Sequence, residues 1–114
     1  MKIFHSMPLR GKTPAEIEFS RSWQHEAAKK AVATTFGVPV EECEILDTFI
    51  KENVPENANA LWYFGEGVRT YLSQTDVLAL APDWAGARGC VAEKFVAESY
   101  DIPVIVLEYR GENG

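Results

Sequence analysis

Val77-Leu78-Ala79-Leu80-Ala81 is an unbroken apolar run of strand length, introduced by Asp76 and broken by Pro82-Asp83-Trp84-Ala85-Gly86. A strand with one wet face alternates apolar and polar residues, so a run without alternation belongs where both faces are covered. That requirement points to a parallel sheet flanked by helices. Ile102 to Leu107 reads as a second strand of this kind.

The rest of the chain supplies the crossovers. Lys2 to Ser6 reads as a short strand ended by Pro8, and Thr13-Pro14-Ala15-Glu16 carries a capping-box pattern with Pro at the first helical position. The helix is predicted from Pro14 to about Phe36, with Phe19, Trp23 and Ala27 at i+4 spacing and Gly37 placed to end it. Glu44 to Phe49 alternates as a strand, and Lys51 to Asn59, with Pro55, reads as a loop. Apolar residues from Ala60 to Ser73 repeat with helical period, and another helix is predicted over about Ala87 to Tyr100. The alternation β-α-β-α-β-α-β predicts fold class α/β, a doubly wound, three-layer parallel sheet with right-handed crossovers. One domain, residues 1–108, and a tail, 109–114, are expected from a chain of 114 residues.

Composition removes several classes of function. With 46% hydrophobic and 25% charged residues the chain is a folded globule, and no apolar run approaches the length of a bilayer span. A cytoplasmic location and no membrane partner are expected. The formal net charge of −6 argues against a nucleic-acid polymer as partner, because such binding needs many Lys/Arg contacts to phosphates. Cys43 and Cys90 are the only cysteines and lack metal-ligand spacing, so neither a metal nor another cofactor is expected.

Ligands of open parallel sheets bind at the carboxyl ends of strands, against helix N-termini. The first such loop contains Ser6, Pro8, Arg10 and Gly11, and Arg10 offers a planar donor fork suited to phosphate. Asp47 ends the second strand, and Asp83 and Trp84 follow the third. Arg88 and Gly89 open the last helix, with Glu93 about one turn inside it. An acid there is also favoured by the helix dipole without any function, and Asp47 is equally a common turn residue. Trp62, Tyr63, Phe64 and Trp84 could stack on a nucleobase, although aromatics of this kind are often core; Trp84 is the one placed at a strand's carboxyl end. Glu66 and Arg69 read as a surface pair, His5 as a core-edge residue and His25 as a surface residue.

Three separated segments carry a resemblance: Ser6-Met7-Pro8-Leu9-Arg10-Gly11-Lys12-Thr13, Leu61-Trp62-Tyr63-Phe64-Gly65-Glu66, and Trp84 to Glu93 followed by Ile102-Pro103-Val104-Ile105. Together they resemble a small bacterial and phage domain family of unknown function. That family is in turn similar to the nucleoside 2-deoxyribosyltransferases and nucleotide N-glycosidases. The resemblance spans nearly the whole chain and implies a Rossmann-like or flavodoxin-like fold. It implies that Glu93 is the nucleophile that captures the anomeric carbon, and that Arg10-Gly11 contacts a 5′-phosphate. Asp47 and Asp83 are then the available proton donors, with Ser6, Pro8, Trp84, Arg88 and Gly89 lining the substrate site. A homo-oligomer is also implied, because the characterised relatives complete their sites across a subunit interface. Three positions depart from the enzymes' pattern: their second acid falls at Val68, their phosphate-binding Ser at Ala87, and the tyrosine of their first strand at Phe4. These departures leave a non-catalytic nucleotide-binding protein, a sensor or sequestering protein, as the alternative to an enzyme.

Overall fold

A computed structural model describes residues 1–48 and 54–109. Strand β1 is Lys2–Ser6, helix α1 Pro14–Phe36, β2 Glu44–Ile45, α2 Ala60–Thr70, β3 Val77–Leu80, α3 Arg88–Ser99 and β4 Val104–Val106. Single 3-10 turns precede β2, follow α2 and precede α3. The four strands form one sheet in the order β2-β1-β3-β4, every neighbouring pair parallel. The α/β class and the parallel sheet expected from the apolar run are therefore present. Strand β2 is shorter than its alternating pattern suggests, since only Lys2↔Glu44 and Ile3↔Ile45 pair. Phe49, the expected end of that strand, lies outside the described residues, as do 110–114 of the expected tail.

Local signals act where the sequence places them. Thr13 caps α1 through the Glu16 amide while the Glu16 side chain returns a bond to the Thr13 amide, and Gly37 closes the helix at φ 67°, a left-handed conformation that glycine adopts without strain. Asn59 caps α2 by accepting from the Trp62 amide.

The sheet divides the core by residue parity. Ile3, Val77 and Ala79 pack with Ala28, Val32 and Ala33 of α1, together with Cys43 and Leu107. Phe4, Leu78 and Leu80 pack with Leu72 and with Cys90 and Ala97 of α3. Alternate residues of a strand point to opposite faces, so α1 and α3 draw on opposite faces of the same two strands. Residues 77–81 are wholly enclosed, and each of the larger side chains contributes roughly 1.5–3 kcal/mol through burial. This explains the unbroken apolar run.

The strand order also marks where a ligand crevice is expected. From β1 the chain moves outward to β2, then returns across β1 to β3 and on to β4. Strands β1 and β3 are the pair at which the direction reverses, and in open parallel sheets the loops beyond such a pair diverge and leave room for a ligand.

Candidate functional site

Ser6 ends β1 and Leu80 ends β3, paired to each other in register. The backbone continues the pairing one step further, Ala81 N–H donating to the Ser6 carbonyl at 2.9 Å. Beyond it, Pro82 to Ala87 turn back through Trp84–Gly86 and start α3. This geometry brings the first turns of α3 over the ends of both strands. Cys90 and Glu93, at i,i+3 on one helix face, both meet Ser6.

Ser6 Oγ stands 2.5 Å from Glu93 Oε1 and 3.1 Å from Cys90 Sγ. A hydroxyl has one proton, so when Glu93 is ionised Ser6 donates to the carboxylate and its own oxygen is left to accept from the thiol. Burial pushes the Glu93 carboxyl up to about 7, and the Ser6 hydrogen bond offsets part of that rise. Burial likewise raises the Cys90 thiol, opposed by the Ser6 hydrogen bond and reinforced by the charges of Glu93 and Asp83. Glu93 Oε2 makes no hydrogen bond among the described residues, and no wholly enclosed side-chain oxygen or nitrogen among them lacks a partner. Oε2 therefore reaches the surface while Oε1 is held.

A second contact joins the loops beyond these strand ends. Lys12 Nζ, just before α1, donates to Asp83 Oδ2 at 3.1 Å, joining the loop after β1 to the loop after β3. Lys12 also borders an open groove of about 390 Å³ lined by Ala15, Glu16, Phe19 and Ser20. Another groove, of about 550 Å³, lies between Trp23, Ala27 and Ala31 of α1 and residues 106–109. Glu93 lines neither.

Ser6, Glu93 and Asp83 thus belong to one connected region at the β1/β3 end. Arg10 and Gly11 occupy an exposed turn closed by Lys12 N–H to the Leu9 carbonyl, with Gly11 at φ 80°, the positive value a type II turn needs at its third residue. Pro8 is half-buried in the same loop. Arg88 and Gly89 are exposed in the first turn of α3. Asp47, also exposed, follows β2 on the far side of β1 from β3. Trp84 is half-buried against the core cluster of α3, with Lys94 Nζ 5.2 Å from its ring centroid. Part of its surface is thereby committed to packing.

Sequence reading missed two participants of this region and one buried polar contact outside it. Cys90 and Lys12 were not singled out, although an apolar Cys three residues before Glu93 indicates which helix face turns to the sheet. His5, expected at the edge of the core, is buried, and its Nε2 donates to Gln24 Oε1 at 2.7 Å while its ring meets His25 edge-on. This cluster belongs to the α1 side. Burial lowers His5 to about 4.

The departures from the enzymes' pattern also have definite places. Val68 packs against the second core cluster, so an apolar contact occupies the position of the second acid. Glu66 is bound to Arg69 at 2.7 Å, within its own helix. Ala87 precedes α3 and provides no side-chain cap. Among the described residues no group of three or more His, Cys, Asp or Glu could hold a metal ion, and no helix is long and apolar enough to cross a membrane. No protein-family profile, curated protein or solved structure matches the chain.

Proposed function

We propose that this chain is a nucleoside or nucleoside 5′-monophosphate N-glycosidase or deoxyribosyltransferase-like protein on a doubly wound, three-layer, Rossmann-like fold. The observation that carries the reading is Glu93, half-buried at the crevice end of β1, with Oε1 held by Ser6 and Oε2 open. In its ionised form Oε2 attacks C1′, the C1′–N bond breaks, and the base departs with the electron pair and takes up a proton. Water then opens the sugar ester, or a second base does so in a transfer reaction. Arg10 is assigned to the 5′-phosphate, with Arg88 adding positive charge at the start of α3. Asp83 and Asp47 remain the proton donors of this scheme. Asp83 is the better placed, being tied through Lys12 to the loop that follows Ser6.

A second reading rests on Val68. Its packing leaves the place of the enzymes' second acid without a carboxylate, and Glu66 is engaged elsewhere by Arg69. A sensor or sequestering protein, including one of phage origin, that binds a nucleotide without turnover fits this feature. Incubation with a panel of ribo- and deoxyribonucleoside monophosphates, with released base measured by chromatography and binding by thermal shift, separates the two. Base release that disappears in Glu93→Gln supports the enzyme; a raised melting temperature without base release supports the binding protein. Neither effect with any nucleotide removes both readings.

A further inference from the structure

Ser6 was assigned to substrate on the strength of its loop, yet its hydroxyl is already committed to two protein groups, Cys90 Sγ and Glu93 Oε1. We infer that Ser6 is a positioning residue for Glu93: with the Cys90 thiol donating to its oxygen, it holds one carboxylate oxygen and leaves the other as the reacting atom. The inference rests on the reading of Glu93 as the nucleophile.

The geometry gives each group a defined part. Ser6 lies at the last pair of the β1/β3 ladder, its carbonyl accepting from the Ala81 amide and its side chain buried. Glu93, in contrast, sits on a long side chain with several rotatable bonds, so a fixed donor at Oε1 selects one orientation of the carboxylate. Cys90 lies one turn earlier on the same helix face and orients the donor in turn. An ionised Glu93 draws the Ser6 proton toward itself, and the thiol proton follows onto the Ser6 oxygen as a hydrogen bond. A protonated Glu93 reverses the chain, donating to Ser6, which then donates to sulfur. Chain direction thus follows the charge on Glu93. Other charged groups near this chain are Lys12 and Asp83, which pair with each other, while Lys94 faces Trp84 and Glu98.

The test is a carboxyl 13C NMR titration of Glu93 in the ligand-free full chain. Ser6→Ala removes the only side-chain donor to the carboxylate among the described residues, and the Glu93 midpoint is expected to rise by about half a unit or more. Ser6→Thr keeps the hydroxyl and is expected to restore most of the shift. Should the Ser6 variants not fold, Cys90→Ser carries the test: a hydroxyl is a stronger donor to Ser6 than a thiol, so the midpoint is expected to fall. An unchanged midpoint in folded Ser6→Ala, or a midpoint that rises in Cys90→Ser, overturns the inference. The readout involves no nucleotide. Shifted titration without base release defeats the glycosidase reading and leaves the positioning in place, whereas base release with an unshifted titration does the reverse.

Discussion

Lys12 Nζ and Asp83 Oδ2 lie 3.1 Å apart and join the two loops that follow β1 and β3. Both side chains are partly exposed, so the pair adds at most about 1 kcal/mol to stability. Its value on the proposed reading lies in loop placement and local charge. Lys12→Ala is expected to leave the melting temperature nearly unchanged, to weaken nucleoside monophosphate binding about tenfold and to flatten its salt dependence. Calorimetric titration at two salt concentrations checks this; unaltered binding would remove Lys12 and its loop from the site.

Two buried groups give the stability opposite pH dependences. Glu93 has a folded pKa raised from 4.5 to about 7, so its neutral form is favoured in the fold and stability falls as pH rises from about 4.5 to 7. His5 has a folded pKa lowered from 6.5 to about 4, so stability falls as pH drops from about 6.5 to 4. The windows overlap and the two slopes largely cancel. Glu93→Gln is expected to expose the His5 slope, with urea stability growing by on the order of 3 kcal/mol at most between pH 4 and 6.5. His5→Gln is expected to show the opposite slope. Parallel profiles for wild type and both variants would contradict this assignment.

Elements defined by local chemistry were legible in the sequence. Thr13, Pro14 and Glu16 specify the start of α1 within four residues, and the run 77–81 can satisfy its burial only inside a covered sheet. The length of β2 was not legible, because pairing with β1 ends at Ile3↔Ile45 although β1 itself runs on to Ser6, a limit that the alternation in residues 44–49 does not mark. The same holds within the site. The place of Glu93 inside α3 was legible, but its bond to Ser6 spans 87 positions and depends on the β1/β3 register. His5–Gln24 was hidden for a similar reason: a polar residue in the middle of an apolar face of α1 looks misplaced until the strand beneath supplies its partner.

The shared interior of the sheet predicts a severe response to cavity formation. Leu78 is wholly enclosed on the α3 side, and Leu78→Ala is expected to cost about 2–5 kcal/mol. Thr13→Ala, which removes one half of an exposed capping box, is expected to cost about 1 kcal/mol. Chemical denaturation measures both. Equal losses would be inconsistent with the packing described.

The proposed family reading carries an expectation of self-association. Leu61 and Tyr63 are exposed on α2 beside half-buried Trp62 and Phe64, and this helix is the surface assigned to a subunit contact. Light scattering at micromolar concentration is expected to give at least twice the 12.7 kDa chain mass, reverting toward one chain in Leu61→Asp. A monomer at all concentrations would remove this part of the proposal.

Glu93 as the nucleophile at C1′ is the central claim, and base release as a function of pH tests it most directly. Wild-type protein given the nucleoside monophosphate that most raises its melting temperature is expected to release base with kcat/KM rising with pH and half-maximal near 7, where the carboxyl loses its proton in the free protein. Glu93→Gln, which keeps the size of the side chain, is expected to bind that nucleotide within a few-fold and to release no base. Turnover that persists in Glu93→Gln, or a rate independent of pH between 5 and 9, would contradict the account.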